Sequence, residues 1–213
     1  MKTYLTEFIG TFFLVLTIGL AVRWETPFAP LAIGSALMVM VYMGGHISGA
    51  HYNPAVTLAV WMRGKLPASQ VLPYWAAQVL GSLAAAFFVD VLTGRTFAPA
   101  PGTWAGPLQA LLAEFLFTFA LALVVLNVAT AKQTEGNSHY GLAIGFTVAA
   151  GAFCGGPISG GAFNPAVGLG PIVIHALLGG GTLGNLWLYL VGPLAGAAAA
   201  VPVFKLQHAG ATD

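Results

Sequence analysis

Six apolar stretches of roughly 20 residues constrain the fold of this chain more than any other feature of its sequence. They span residues 4–22, 29–45, 70–92, 108–130, 139–157 and 183–204. A helix of about 20 apolar residues crosses the roughly 30 Å hydrocarbon core of a lipid bilayer. We therefore predict an all-α membrane protein with six transmembrane helices.

The composition agrees with this prediction and excludes other classes of protein. Charged residues make up 6% of the 213 residues and hydrophobic residues 58%, which is too little charge to cover a soluble surface. The formal net charge is +1 and there is no basic stripe, so we expect no nucleic-acid partner. The single Cys154 excludes an internal disulfide, and the five histidines lack metal-ligand spacing, so no metal or cofactor is predicted.

Two shorter apolar segments, residues 54–62 and 165–177, are predicted to be half-helices. At about 1.5 Å per residue, each reaches about half-way across a bilayer. Six full spans and two half-spans use nearly the whole chain, so we predict one transmembrane domain over residues 1–213. A cleaved signal peptide is disfavoured, because the first stretch lacks a small-residue cleavage site.

An eleven-residue pattern occurs twice, 111 residues apart. Residues 46–56 and 157–167 agree at seven of eleven positions. Glu7 and Glu114 take matching places earlier in each half, which predicts a first repeat of about 1–95 and a second of about 105–206. Each repeat has three full spans, an odd number, so the second copy must be inverted. Inverted repeats with interrupted helices place their shared site near the middle of the membrane.

Both copies of the pattern contain Asn-Pro-Ala, as Asn53-Pro54-Ala55 and Asn164-Pro165-Ala166. Asparagine is a favoured N-cap and proline suits the first helical turn, so each motif predicts a helix start. Each start carries about +0.5 charge, and two starts facing one passage repel cations. The preceding residues, 47–52 and 158–163, are predicted to be extended re-entrant loops whose carbonyls line a passage for small neutral molecules.

These paired motifs, the six spans and the inverted repeat resemble the aquaporin (major intrinsic protein) family over the whole chain. The resemblance implies a passive channel for water and small uncharged solutes, with one pore in each subunit of a homotetramer embedded in membrane lipid. It also implies that Glu7 and Glu114 hydrogen-bond the re-entrant loops. As intramembrane carboxylates, the two residues are also candidates for proton coupling.

The family's second constriction, the aromatic/arginine filter, is unusual here. Counting from the two motifs assigns it to Ile33, Ala152, Gly161 and Val167, and Val167 stands where the family normally has arginine. Arginine supplies a fixed charge and a fork of donors, so its loss predicts a wide, apolar mouth. The alternative is therefore a broad channel for glycerol, urea, ammonia, hydrogen peroxide or undissociated weak acids, with water secondary. Three aromatic residues are candidates to refill the space: Tyr42, Phe153 and Phe163.

Two other classes of function stay open at this point. One is an intramembrane enzyme using Glu7, Glu114, His46 or His51, although no catalytic motif supports it and no catalytic residue is predicted. The other is a closed structural protein built on the same fold.

The basic residues predict the orientation in the membrane. An N-terminus inside the cell places five of the seven Lys and Arg residues in the cytoplasm and leaves Arg23 and Arg95 outside. We therefore predict a multi-pass protein of the plasma (inner) membrane with both termini cytoplasmic.

Overall fold

The computed structural model describes residues 1–210, and all the regular secondary structure within them is helical. Six of the helices are long and apolar enough to cross a membrane, and two are shorter. In chain order the α-helices are Lys2–Arg23 (α1), Ala29–Ser48 (α2), Pro54–Met62 (α3), Ala68–Thr93 (α4), Pro107–Thr130 (α5), Tyr140–Ser159 (α6), Pro165–Leu178 (α7) and Leu186–Gln207 (α8). A 3-10 turn covers Lys132–Thr134. The prediction of six spans and two shorter helices is confirmed.

Glycine and proline set several helix boundaries. The helices α2 and α6 end before Gly49 and Gly160, which adopt left-handed backbone with φ of 82° and 90°. Glycine takes this conformation without the steric cost of a Cβ atom. The two helices therefore continue to Ser48 and Ser159, and the predicted extended loops at 47–52 and 158–163 begin two residues too early. At their N-terminal ends, the helices α3, α5 and α7 each have proline in the first turn.

The two repeats interlock rather than lying side by side. Within the first repeat α1 packs on α2 and α4, and within the second α5 packs on α6 and α8. Between the repeats α2 packs on α6, while each shorter helix lies against the opposite repeat: α3 against α5 and α8, and α7 against α4. Both shorter helices are therefore held inside the bundle.

Small residues allow the closest approaches between helices, and they do so in pairs related by the repeat. A Cβ atom on Gly81 would lie 2.5 Å from the backbone oxygen of Phe8, and one on Gly196 would clash with the backbone oxygen of Phe115. At the α2–α6 contact, Gly34 and Gly145 lie against each other's backbone oxygen. Such close contacts are typical of helices that pack within a membrane.

Candidate transmembrane pore

Each Asn-Pro-Ala motif begins a shorter helix by ordinary capping chemistry. The Asn53 side-chain oxygen accepts a hydrogen bond from the backbone N–H of Ala55 at 2.8 Å. The Asn164 side-chain oxygen accepts one from Ala166 at 2.9 Å. Both asparagines are buried, and the prolines between these residues stand in the first helical turn, where a missing N–H costs nothing.

The same two asparagines join the helix starts to each other. Asn53 Nδ2 donates to the backbone oxygen of Phe163 at 2.9 Å, and Asn164 Nδ2 donates to that of Tyr52 at 2.9 Å. Tyr52 and Phe163 have φ of 50° and 49°, which side-chain-bearing residues seldom adopt. The reciprocal bonds bring the positive ends of α3 and α7 together at one place.

Glu7 anchors the first re-entrant loop. Its Oε1 accepts from the Ser48 hydroxyl at 2.6 Å and from the backbone N–H of His51 at 3.0 Å. Its Oε2 accepts from the backbone N–H of Tyr52 at 2.7 Å and from Gln78 Nε2 at 2.8 Å. The carboxylate accepts four hydrogen bonds, and two of them satisfy loop amides that would be left unpaired in a hydrocarbon environment.

Glu114 makes the matching contacts in the second repeat. Its Oε1 accepts from the Ser159 hydroxyl at 2.7 Å and from the N–H of Ala162 at 3.0 Å, and its Oε2 accepts from the N–H of Phe163 at 2.6 Å. Both carboxylates are fully buried. The structure therefore brings each predicted glutamate to the loop of its own repeat.

Two tyrosines that the sequence did not single out for this role complete the anchoring. Tyr74 donates its hydroxyl to the backbone oxygen of Ser48 at 2.7 Å, and Tyr189 donates to that of Ser159 at 2.5 Å. Each bond satisfies a carbonyl at the end of α2 or α6. Both tyrosines lie in the third span of their repeat, so a comparison of the two halves of the sequence could have related them. That region has no contiguous matching motif, and for this reason the comparison did not identify them.

The first repeat carries an additional polar network. Gln78 Nε2 also donates to Thr57 Oγ1 at 3.0 Å, and Thr57 Oγ1 lies 3.1 Å from His51 Nδ1. The His51 ring also packs against Tyr74, with ring centroids 5.0 Å apart. His51 is therefore held in place on two sides.

A cavity of about 450 Å³ runs along these loops, and we call it the filter cavity. Asn53 and Asn164 line it, as do all four predicted filter residues, Ile33, Ala152, Gly161 and Val167. Within the described part of the chain, its lining includes no Asp, Glu, Lys or Arg. The remaining wall is largely aliphatic and includes Leu14, Ile18, Leu37, Val56, Leu121 and Val148.

One wall of the filter cavity comes from a segment that sequence reasoning missed. Residues 97–100, in the connection between α4 and α5, line it. This connection is fixed by a backbone hydrogen bond from Gly102 to Ile158 at 3.0 Å. A Cβ atom on Gly160 would lie 2.7 Å from the backbone nitrogen of Ala100, so only a glycine at 160 allows this approach. No local pattern in residues 97–100 indicates the contact.

Of the three aromatic candidates for refilling the mouth, Phe163 alone lines the filter cavity. Phe153 is 52% exposed on the surface of the bundle. Tyr42 bonds the start of α6 instead, donating to the backbone oxygen of Ser138 at 3.1 Å and accepting from the N–H of Leu142 at 3.1 Å.

A second, wider cavity of about 1200 Å³ opens on the side of the bundle where α1 begins, and we call it the vestibule. Three charged residues line it: Lys65, Lys132 and Glu135. The vestibule and the filter cavity share three lining residues, His51, Val125 and Ile144. Among the described residues no three His, Cys, Asp or Glu side chains cluster in a way that would hold a metal ion.

Comparisons with known proteins agree with this architecture. The family model for the major intrinsic protein matches residues 1–204. The chain is 41% identical over 216 residues to aquaporin NIP1-1 of Oryza sativa subsp. japonica, covering 97% of this chain and 74% of the relative. It is 36% identical over 216 residues to nodulin-26 of Glycine max, covering 97% and 78%.

A solved structure shows the same fold. The X-ray structure of the aquaglyceroporin from Plasmodium falciparum matches with a TM-score of 0.83 at 22% sequence identity, over 96% of this chain and 98% of that one. The whole-chain family match, with the aquaporin relatives above 30% identity, excludes the enzyme alternative. The chain belongs to the major intrinsic protein family of multi-pass aquaporin channels.

Proposed function

We propose that the chain is a passive channel for water and small uncharged solutes whose selective part is the filter cavity. The observation that carries the proposal is the lining of that cavity. It combines two helix starts and their asparagines with largely aliphatic walls, and within the described residues it has no Asp, Glu, Lys or Arg side chain. Such a lining offers a solute a few hydrogen-bonding groups and no site for an ion.

The exclusion of cations follows from the ends of α3 and α7. Their N-termini meet at the Asn53 and Asn164 bonds, and each carries about half a positive charge. No acidic side chain among the described residues lines the filter cavity to offset this field. Because the bilayer already makes an ion costly at this depth, the added repulsion keeps out cations, including hydronium.

The four filter positions favour solutes larger than water as additional substrates. Ile33 and Val167 are aliphatic, and Ala152 and Gly161 are small, so the mouth has neither the donors nor the charge of an arginine. This supports the broader alternative, in which glycerol, urea, ammonia, hydrogen peroxide or undissociated weak acids pass and water is secondary.

We also propose roles for the remaining predicted features. Glu7 and Glu114 act as loop anchors rather than proton carriers, which their full set of loop donors supports. The two repeats, about 1–95 and 105–206, form one channel domain; residues 211–213 of the predicted 1–213 lie outside the described residues. The excess of Lys and Arg on one side supports cytoplasmic termini in a plasma (inner) membrane.

A homotetramer completes the proposal. Helices α1, α2, α5 and α6 each expose large apolar side chains on the bundle surface, including Phe13, Val39, Leu116 and Phe146. Lipid or neighbouring subunits can cover such faces, and cross-linking of the purified protein in detergent distinguishes the two. We expect a ladder that ends at four subunits.

Stopped-flow light scattering on reconstituted vesicles tests the function. We expect vesicles containing the protein to shrink faster than empty vesicles in an impermeant sugar and to re-swell in glycerol or urea. As a control, Ala152→Trp places an indole in the filter cavity and should slow both phases at equal protein content. Rates equal to those of empty vesicles would contradict the proposal and favour the closed structural protein.

The filter assignment has its own test. Val167→Arg introduces the family's usual charge and bulk into the filter cavity, so we expect glycerol re-swelling to fall about tenfold relative to water flux. An unchanged ratio of glycerol to water permeability, in a variant that elutes as the wild type does, would show that residue 167 is not a filter residue.

A further inference from the structure

The filter cavity and the vestibule are separate spaces that meet at one level. Three residues border both: His51 from the first re-entrant loop, Val125 from α5 and Ile144 from α6. A solute that moves from one cavity to the other passes between these side chains. The level at which they lie joins the two cavities, on the vestibule side of the Asn-Pro-Ala motifs.

The repeat supplies a direct comparison between this level and the filter. Residues 111 positions apart occupy equivalent places in the two inverted repeats, so each of the four filter residues has a counterpart in the other repeat. Each of these four counterparts borders one or both cavities. They are Val41, Ala50, Val56 and Ile144, and with His51 and Val125 we call them the inner ring.

The inner ring is bulkier than the filter at each position where the two differ. Val41 corresponds to Ala152, and Ala50 corresponds to Gly161. Ile144 and Val56 correspond to identical residues, so nothing offsets these differences. The neighbouring position adds to them, because His51 corresponds to Ala162.

The side chains of the inner ring are also fixed in place. Val41 and Ile144 are 2% and 5% exposed. Ile144 precedes Gly145, which lies in backbone contact with Gly34 at the α2–α6 crossing. His51 is held by Thr57 and by the Tyr74 ring. A close-packed wall does not yield to a passing solute without a cost in packing energy.

We propose that the inner ring, and not the aromatic/arginine filter region, sets the size limit for solutes larger than water in this channel. The filter then supplies an apolar entrance, and the ring rejects solutes too wide to pass Val41, Ile144 and His51. This inference rests on the proposed channel function and names the residues that determine its specificity.

Matched alanine variants test the proposal. Val41→Ala removes the extra bulk of the ring, which is two methyl groups, and Ile33→Ala removes three carbon atoms from the filter. If the ring sets the limit, Val41→Ala raises the rate of glycerol re-swelling about threefold or more, and Ile33→Ala raises it by a smaller factor although it removes more bulk. If Val41→Ala yields no folded protein, Ile144→Val tests the same prediction. It also reduces the bulk of the ring, with a smaller change in packing.

Moving the valine between the two levels sharpens the test. The double variant Val41→Ala/Ala152→Val transfers the bulky residue to the filter, so glycerol re-swelling should return toward the wild-type rate. A larger increase for Ile33→Ala than for Val41→Ala or Ile144→Val would overturn the proposal. Wild-type vesicles that pass no solute would instead refute the channel function itself, so the two failures are distinguishable.

Discussion

The two re-entrant loops are built alike at their base and differ towards the pore. In both repeats a glutamate binds the serine that ends a helix and two consecutive loop amides, and a tyrosine binds the serine's carbonyl. In the first repeat Gln78, Thr57 and His51 extend these contacts towards the pore. Their counterparts in the second repeat are Pro193, Gly168 and Ala162, which bear no polar side chain.

This difference distinguishes the contacts that both re-entrant loops require for folding from the contacts that affect one end of the pore. The features common to both repeats satisfy backbone groups that lipid cannot satisfy, so each copy of the loop requires them. The features present in one repeat alone change the width and polarity of one end of the pore. At the vestibule end the first repeat places His51 and Val41, where the second repeat places the smaller, apolar Ala162 and Ala152 at the filter end.

The largest effect is expected when either anchoring carboxylate is removed. Glu7→Ala leaves four donors without an acceptor, and Glu114→Ala leaves three. Since each unpaired buried donor costs about 1–3 kcal/mol, we expect a loss on the order of 5 kcal/mol, greater for Glu7. Thermal unfolding in detergent, followed by intrinsic fluorescence, measures both variants. Equal Tm values for wild type and variants would contradict the anchoring role.

The next largest effect concerns the bonds that join the two loops. Asn53→Asp and Asn164→Asp replace a donor to the opposite loop with a negative charge at the helix starts. The carboxylate offsets the positive field, so we expect the proton leak through each variant to rise about tenfold. A pH-sensitive dye inside the vesicles records it.

The control for this experiment is Asn127→Asp. Asn127 bonds the backbone of its own helix α5 and lies outside the filter cavity, so the charge change is the same but the helix starts are untouched. A proton leak that matches wild type in the two motif variants, or a rise as large in Asn127→Asp, would remove the support for exclusion at the helix starts.

The smallest expected effect is a change in Tm when the close helix contacts are disturbed, and it shows whether these contacts are equivalent in the two repeats. Gly81→Ala and Gly196→Ala each push a Cβ atom into the backbone of the neighbouring first span. Overpacking of this kind costs about 1–3 kcal/mol, so both should lower the Tm by similar amounts. Gly156→Ala is the matched control, because nothing lies within 4 Å of a Cβ atom there. A Tm for Gly156→Ala below those of the other two would contradict the packing argument.

Much of this architecture could be predicted from the sequence because it depends on local chemistry. Span lengths follow from apolar runs, and the helix starts at Asn53 and Asn164 follow from capping and proline. The seven-in-eleven match between the repeats then relates the two starts and aligns Ile33 with Ile144.

The rest depends on distances between segments that no local pattern encodes. The bonds from Tyr74 and Tyr189 to serine carbonyls connect residues 26 and 30 positions apart. Residues 97–100 reach the filter cavity because a glycine at 160 leaves room for them. The exact residue at which α2 and α6 end was also missed, since it is set by which glycine adopts the left-handed conformation.

The central claim is that neutral solutes pass two opposed helix starts that exclude cations. The most direct measurement records glycerol re-swelling and proton leak in the same reconstituted vesicles, at increasing protein density. We expect glycerol flux to rise in proportion to protein density while the proton leak stays at the level of empty vesicles. A proton leak that rises in step with glycerol flux would contradict the account.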